Sequence, residues 1–259
     1  MLITGSGPQD RDEATPALRD YRPFREIADT LSRRGIIVLR LDDRGVGGSD
    51  IGPLTATTAD FADDVRAAVA WLRARSDVDA RRVGLVGHSE GALVAPMVAA
   101  TDSALGALVL IAAPAERGRQ ILAEQQRMLL GGDLRLSPAE RDSARARAAH
   151  VTDSLAVAPG WLHFFAEYDP LVAARRVRAP TLVLQGMTDR QVAPEQSRTL
   201  AEAMRAGGNR GVVVRTFANM NHLMLDDPSG SPRGYATLPS MRVRRDMLGA
   251  LADWLARTL

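Results

Sequence analysis

Val83-Gly84-Leu85-Val86-Gly87-His88-Ser89-Glu90-Gly91-Ala92-Leu93-Val94-Ala95-Pro96 is the stretch on which the reading of this chain turns. An apolar, β-branched run ends at Gly87, and a small-residue stretch of helical character begins at Gly91. A G-x-S-x-G pentapeptide caught between strand and helix has the form of a sharp turn that lifts a serine hydroxyl clear of a sheet. So tight a turn leaves no room for a Cβ two residues to either side of the serine, which accounts for glycine at 87 and 91. The Glu90 amide, at the start of the helix, would point at negative charge developing beside Ser89. The alternative is that Gly-His-Ser-Glu-Gly is only a loop between strand and helix, and the flanks favour the sharp turn.

Working outward, the same strand-then-helix rhythm recurs. Met1-Leu2-Ile3-Thr4 reads as the end of a strand, followed by the loop Gly5-Ser6-Gly7-Pro8. A chain that opens in mid-strand leads us to expect earlier strands, and any signal peptide, upstream of residue 1. Apolar spacing predicts helices over about 23–34, 58–75, 194–205 and 238–255. Ile36-Ile37-Val38-Leu39-Arg40-Leu41 reads as a strand buried on both faces, Ala107–Ile111 as another buried strand, and Thr181–Gly186 and Val212–Thr216 as further strands. This alternation predicts an α/β fold: a mostly parallel sheet with helices on both faces. Ligands bind such sheets beyond the carboxyl ends of the strands, where Ser89 would lie. The glycine-rich loop Asp42-Asp43-Arg44-Gly45-Val46-Gly47-Gly48-Ser49 matches neither phosphate-binding fingerprint, and its aspartate–arginine pair reads as a structural salt bridge near the site.

Residues 115–178 break the rhythm. They carry no buried-strand signal and read as two or three helices, inserted as a cap into a body made of 1–114 and 179–259. Near their end, Trp161, Phe164, Phe165 and Tyr168 are four of the chain's eleven aromatic residues. They predict either a small core of the insertion or a lid whose aromatic face lines a substrate pocket.

Composition excludes several functions. The 259 residues are 46% hydrophobic and 25% charged, ordinary for one globular α/β domain. The net charge of +2 gives no electrostatic case for nucleic acid or an anionic membrane surface. With no cysteine, disulfides, thiolate metal sites and a cysteine nucleophile drop out together, while compartment stays open. No apolar run is long enough to cross a membrane.

A serine hydroxyl needs a base, and the base an orienting acid. After such a turn the expected chain order is serine, acid, histidine. Asp189 lies three residues past the strand 181–186 and His222 six past the strand 212–216, on loops that would leave the sheet at the same edge as Ser89. His88 sits inside the turn and cannot reach its neighbour's hydroxyl. His150 and His163 belong to the insertion, and Asp226 and Asp227 lie too near His222 in sequence to reach around it. The second oxyanion donor, besides the Glu90 amide, is expected at the Ser6 amide in the first loop.

With these residues in place, the sequence resembles the α/β-hydrolase superfamily, and within it bacterial esterases akin to dienelactone hydrolases and the catalytic domains of prolyl-oligopeptidase-type peptidases. The match is carried by Gly5-Ser6-Gly7-Pro8-Gln9-Asp10-Arg11-Asp12, Asp43-Arg44-Gly45 with Gly47 and Ser49, Gly87-His88-Ser89-Glu90-Gly91, Tyr168-Asp169-Pro170, Gly186 with Asp189, and Asn221-His222. The resemblance implies two further strands before the one at which this chain begins. The function expected is a serine hydrolase acting through an acyl-enzyme on a small carboxylic ester, with no metal or organic cofactor. A peptidase, thioesterase or acyltransferase would use the same residues. A non-catalytic binding protein on this fold would typically lack one of the three.

Overall fold

Leu108 and Leu110 point to one face of a strand, Val109 and Ile111 to the other, and all four are wholly removed from water. A strand apolar on both faces must be covered on both, and the rest of the molecule supplies the covers. The computed structural model describes residues 1–131, 137–140, 142–144, 146, 149–150 and 160–259. Its five-stranded sheet runs β1 (Leu2–Ile3), β2 (Gly84–His88), β3 (Ala107–Ile111), β4 (Thr181–Gly186) and β5 (Val212–Phe217), adjacent in that order and all parallel.

Five helices make the two covers. On one face lie α1 (Pro23–Ser32) and, at the end of the chain, the helix Arg245–Thr258. On the other lie α2 (Thr58–Arg73), α3 (Gly91–Ala99) and the helix Gln196–Ala206. The α2 start is fixed by a capping box, in which Thr57 and Asp60 satisfy each other's end of the helix. The α3 helix is buried along its whole length between sheet and α2, so its apolar stretch shows no polar face.

Between β3 and β4 lie α4 (Gly118–Gly131), α5 (Trp161–Glu167) and α6 (Pro170–Ala174). The last of these packs on the sheet's own helices, with Ala174 in the core beside α3 and the helix Gln196–Ala206. That helix is α7, and Arg245–Thr258 is α8. The stretch 151–159 within the expected cap lies outside the described residues.

One expected strand is absent. Residues 36–41 lie beside β1, where the Leu2 amide donates to the Leu39 carbonyl (3.0 Å), but no ladder forms. The neighbour, β1, offers only two paired residues, and on the far side Ile37 is 57% exposed. An apolar run becomes a buried strand only where partners flank it, and here one edge has none. The final helix also starts later than its apolar spacing predicts, at Arg245, because a 3₁₀ segment, Pro232–Thr237, and extended chain precede it.

Candidate active site

The sharp turn forms where the sequence places it. Ser89 has φ of 53°, the left-handed region that non-glycine residues seldom enter, held there by its own amide donating to the Ile111 carbonyl (2.9 Å). The glycines on either side are sterically required: a Cβ on Gly87 would collide with the backbone of Gly91, and one on Gly91 with the carbonyls of Ile3 and Thr4. The turn therefore packs directly against the end of β1, from which the loop carrying Gly5 and Ser6 departs.

The loops after β4 and β5 bring Asp189 and His222 to the same edge. His222 Nε2 lies 3.1 Å from Ser89 Oγ, and His222 Nδ1 lies 3.0 Å from Asp189 Oδ2. Asp189 is almost wholly buried, and three more donors hold it: the Gln191 and Val192 amides on Oδ1 (2.8 and 2.9 Å) and the Gln185 side chain on Oδ2 (3.1 Å). Burial alone would push its pKa up. The neighbouring His222 and the hydrogen bonds outweigh that, so Asp189 is held below the usual carboxylate range. The histidine loop is braced by Asn221, whose side-chain oxygen accepts the amides of Leu223 and Leu225.

The neighbouring aspartates have other work. Asp226 is exposed and pairs with Arg244, while buried Asp227 accepts from the Asn221 side chain and from Ser229.

A cavity of about 280 Å³ opens over Ser89, lined by Ser6, Gln9, Tyr21, Gln125, Trp161 and Phe165 among others. Of the four aromatic residues expected at the pocket, the structure brings Trp161 and Phe165 there, stacked at 5.2 Å. Phe164 and Tyr168 are a correction: they stack on each other at 5.3 Å and pack against the core. Helical spacing explains the split, since 161 and 165 share one stripe of α5 and 164 and 168 the next. The Trp161 indole N–H donates to Glu90 Oε1 (2.6 Å), as does the Thr58 hydroxyl (2.6 Å), so Glu90 ties α5 to α2.

The loop 42–49 is a salt-bridged brace, with partners other than those the sequence suggests. Arg44 pairs with Asp64 on α2, and Arg11 forks onto Asp42. Asp43 accepts the Thr4 hydroxyl (2.8 Å) and the Gln9 amide (2.9 Å), pinning the loop after β1. Sequence reasoning missed one buried residue at the site, Glu13, whose carboxylate accepts the Gly5 amide and lies 2.9 Å from His88 Nδ1. Its only signal was a glutamate among the charged residues 10–13, where surface is the ordinary expectation.

Comparison with known proteins follows the same lines. The model of the family described as serine aminopeptidase, S33, matches residues 19–229. Esterase EstD of Thermotoga maritima is 28% identical over 264 aligned positions, covering 99% of this chain; the chain spans 61% of that protein's length. Among solved structures, the Pyrococcus furiosus esterase superposes with a TM-score of 0.65 at 18% identity, covering 99% of this chain and 81% of that one. A Paleococcus ferrophilus monoacylglycerol lipase superposes with a TM-score of 0.60 at 18% identity, covering 100% and 93%. Fold and family model agree: the chain belongs to the S33 serine aminopeptidase family of α/β-hydrolases.

Proposed function

We propose that the protein is a serine hydrolase that cleaves carboxylic esters through an acyl-enzyme, with Ser89 as nucleophile, His222 as base and Asp189 as the acid that orients it. The observation that carries this reading is the unbroken run Ser89 Oγ–His222–Asp189, with contacts of 3.1 and 3.0 Å. His222 Nδ1 faces a carboxylate, so its proton sits there and Nε2 is left to take the serine proton. Attack then places negative charge on the carbonyl oxygen. The Glu90 amide, before the first turn of α3 and without a helical partner, is one donor to that oxygen, and the Ser6 amide is the other. Collapse expels the alcohol with the proton held by His222, and a water activated by the same imidazole releases the acid. Residues 115–178 serve as a cap over this site, with Trp161 and Phe165 facing the substrate.

A second reading, a peptide or aminoacyl bond as substrate, is favoured by the description of the matching family. A panel of p-nitrophenyl acyl esters beside aminoacyl-p-nitroanilides separates the two, with turnover expected on the esters. A fluorophosphonate probe should label Ser89 alone, and Ser89→Ala should abolish turnover while leaving Tm nearly unchanged. An adduct on another serine, or none on folded protein, removes the assignment.

A further inference from the structure

Behind the serine and its base lies a second acid–histidine pair that proton transfer does not use. His88 and Glu13 are both about 95% buried. His88 Nε2 lies 2.9 Å from the backbone carbonyl of His222, and His88 Nδ1 lies 2.9 Å from Glu13 Oε1. A carbonyl only accepts, so Nε2 must carry a proton. Glu13 Oε1 also accepts the Gly5 amide at 2.7 Å, so that oxygen already serves as an acceptor. With both neighbours acting as acceptors, the ring has a donor's task at each nitrogen. Burial alone would lower the His88 pKa; the Glu13 charge and hydrogen bond and the His222 carbonyl outweigh it and raise the value.

The backbone at Glu13 is held for this purpose. Its φ is 56°, and its amide donates to the Asp10 carbonyl (2.8 Å) in a turn closed by Asp10 Oδ1 on the Asp12 and Ala14 amides. At Gly5 an added Cβ would come within 3.2 Å of Glu13 Oε1 and 3.3 Å of the Ser89 side chain, so carboxylate, loop and serine are packed without slack.

We propose that Glu13 and His88 are positioning residues: a buried carboxylate–imidazolium pair that clamps the oxyanion loop at Gly5 to the backbone of His222. One member reaches the loop beside Ser6, the other the backbone of the base, and His88 is itself the residue before the nucleophile. The pair therefore fixes three loops from three strands against one another, at ring centroids 5.1 Å apart for the two histidines. Its effect belongs in the transition state, when the oxyanion donors and the base must both be in register. The clamp rests on the proposed roles of Ser89 and His222, but its charge state does not.

Two measurements test it. Nitrogen-15 NMR of the ring nitrogens is tractable with four histidines. It should show His88 protonated at both positions at neutral pH in the intact protein, and should lose that signature in Glu13→Gln. A glutamine cannot serve both partners of a neutral ring, because its oxygen would face a lone pair at Nδ1 or its NH₂ would abandon Gly5. On p-nitrophenyl acetate, Glu13→Gln and His88→Asn should each lower kcat by tenfold or more with KM within threefold. The double variant should be little worse than either, as for residues acting as a unit. A neutral His88 ring in the wild-type protein overturns the ion pair, and wild-type kcat in folded His88→Asn overturns the positioning role. Should Glu13→Gln fail to fold, the wild-type spectrum and His88→Asn decide alone. Activity surviving in Ser89→Ala would instead strike the nucleophile assignment and leave the NMR result standing.

Discussion

At Asp189 a single carboxylate meets the proposed base, His222, and three further hydrogen bonds hold that carboxylate. Replacing such an acid with asparagine costs about 10⁴ in kcat in serine proteases, because the amide favours the wrong tautomer of the histidine. Asp189→Asn should accordingly cut kcat by orders of magnitude with KM little changed, measured on an ester that the wild type turns over. Asp226→Asn, at an exposed carboxylate paired with Arg244, should stay within a few-fold of wild type. Asp227→Asn should act on Tm and not on the kcat of folded protein, since Asp227 ties Asn221 to Ser229 under the histidine loop. Equal loss of kcat in Asp226→Asn and Asp189→Asn would mean that the acid is misassigned. Chain order and strand ends singled out Asp189 and His222 in the sequence, and the structure sets the two side chains 3.0 Å apart, the geometry on which their proposed roles rest. Glu13 was not singled out, since the left-handed turn that drives it inward leaves no pattern in side-chain polarity.

Among the elements, the loops after β1 and before α2 are where pH should be felt. Burial pushes the Asp43 pKa up to about 6, from an ordinary value near 4, with Glu13 and Glu90 adding repulsion and its two hydrogen bonds opposing. Because the folded value is the higher one, the folded state binds the extra proton, and stability falls as pH rises from about 4 to about 6. Asp43→Asn removes that penalty. Its Tm relative to wild type should therefore be higher at pH 8 than at pH 4, and a difference independent of pH would show that Asp43 does not titrate in this window. The mismatch at residues 36–41 belongs to this scale too. Hydrophobicity identified a segment that prefers to be covered, but pairing depends on neighbours that no local pattern encodes. In the same way α5 was legible as aromatic, and only its helical phase separates Trp161 and Phe165 from Phe164 and Tyr168.

Among the described residues the sheet lies between two apolar layers, so that a strand residue belongs to one core or the other by parity. Ile3 on β1 faces the layer of α2 and α3, and Ile111 on β3 faces that of α1 and α8. Each shortened to valine should cost about 0.5–1.5 kcal/mol in urea unfolding. The double variant should match the sum to within about 0.5 kcal/mol, because the two methyl groups removed share no neighbours across the sheet. A larger shortfall would mean that strain passes through the sheet from one layer to the other. The overall architecture was the most legible part of the sequence, since a strand buried on both faces must be apolar throughout.

The strand order carries one more consequence. Ser89 rises from β2, Asp189 from β4 and His222 from β5, while β3, between the first two, contributes none of the three. It acts as a gauge block. Two strand spacings of about 4.8 Å separate the rails on which serine and acid ride. One imidazole ring with its two contacts of 3.1 and 3.0 Å is the sleeper that fits between them. A middle strand that carries none of the three groups thus sets the distance between the two loops that carry Ser89 and Asp189.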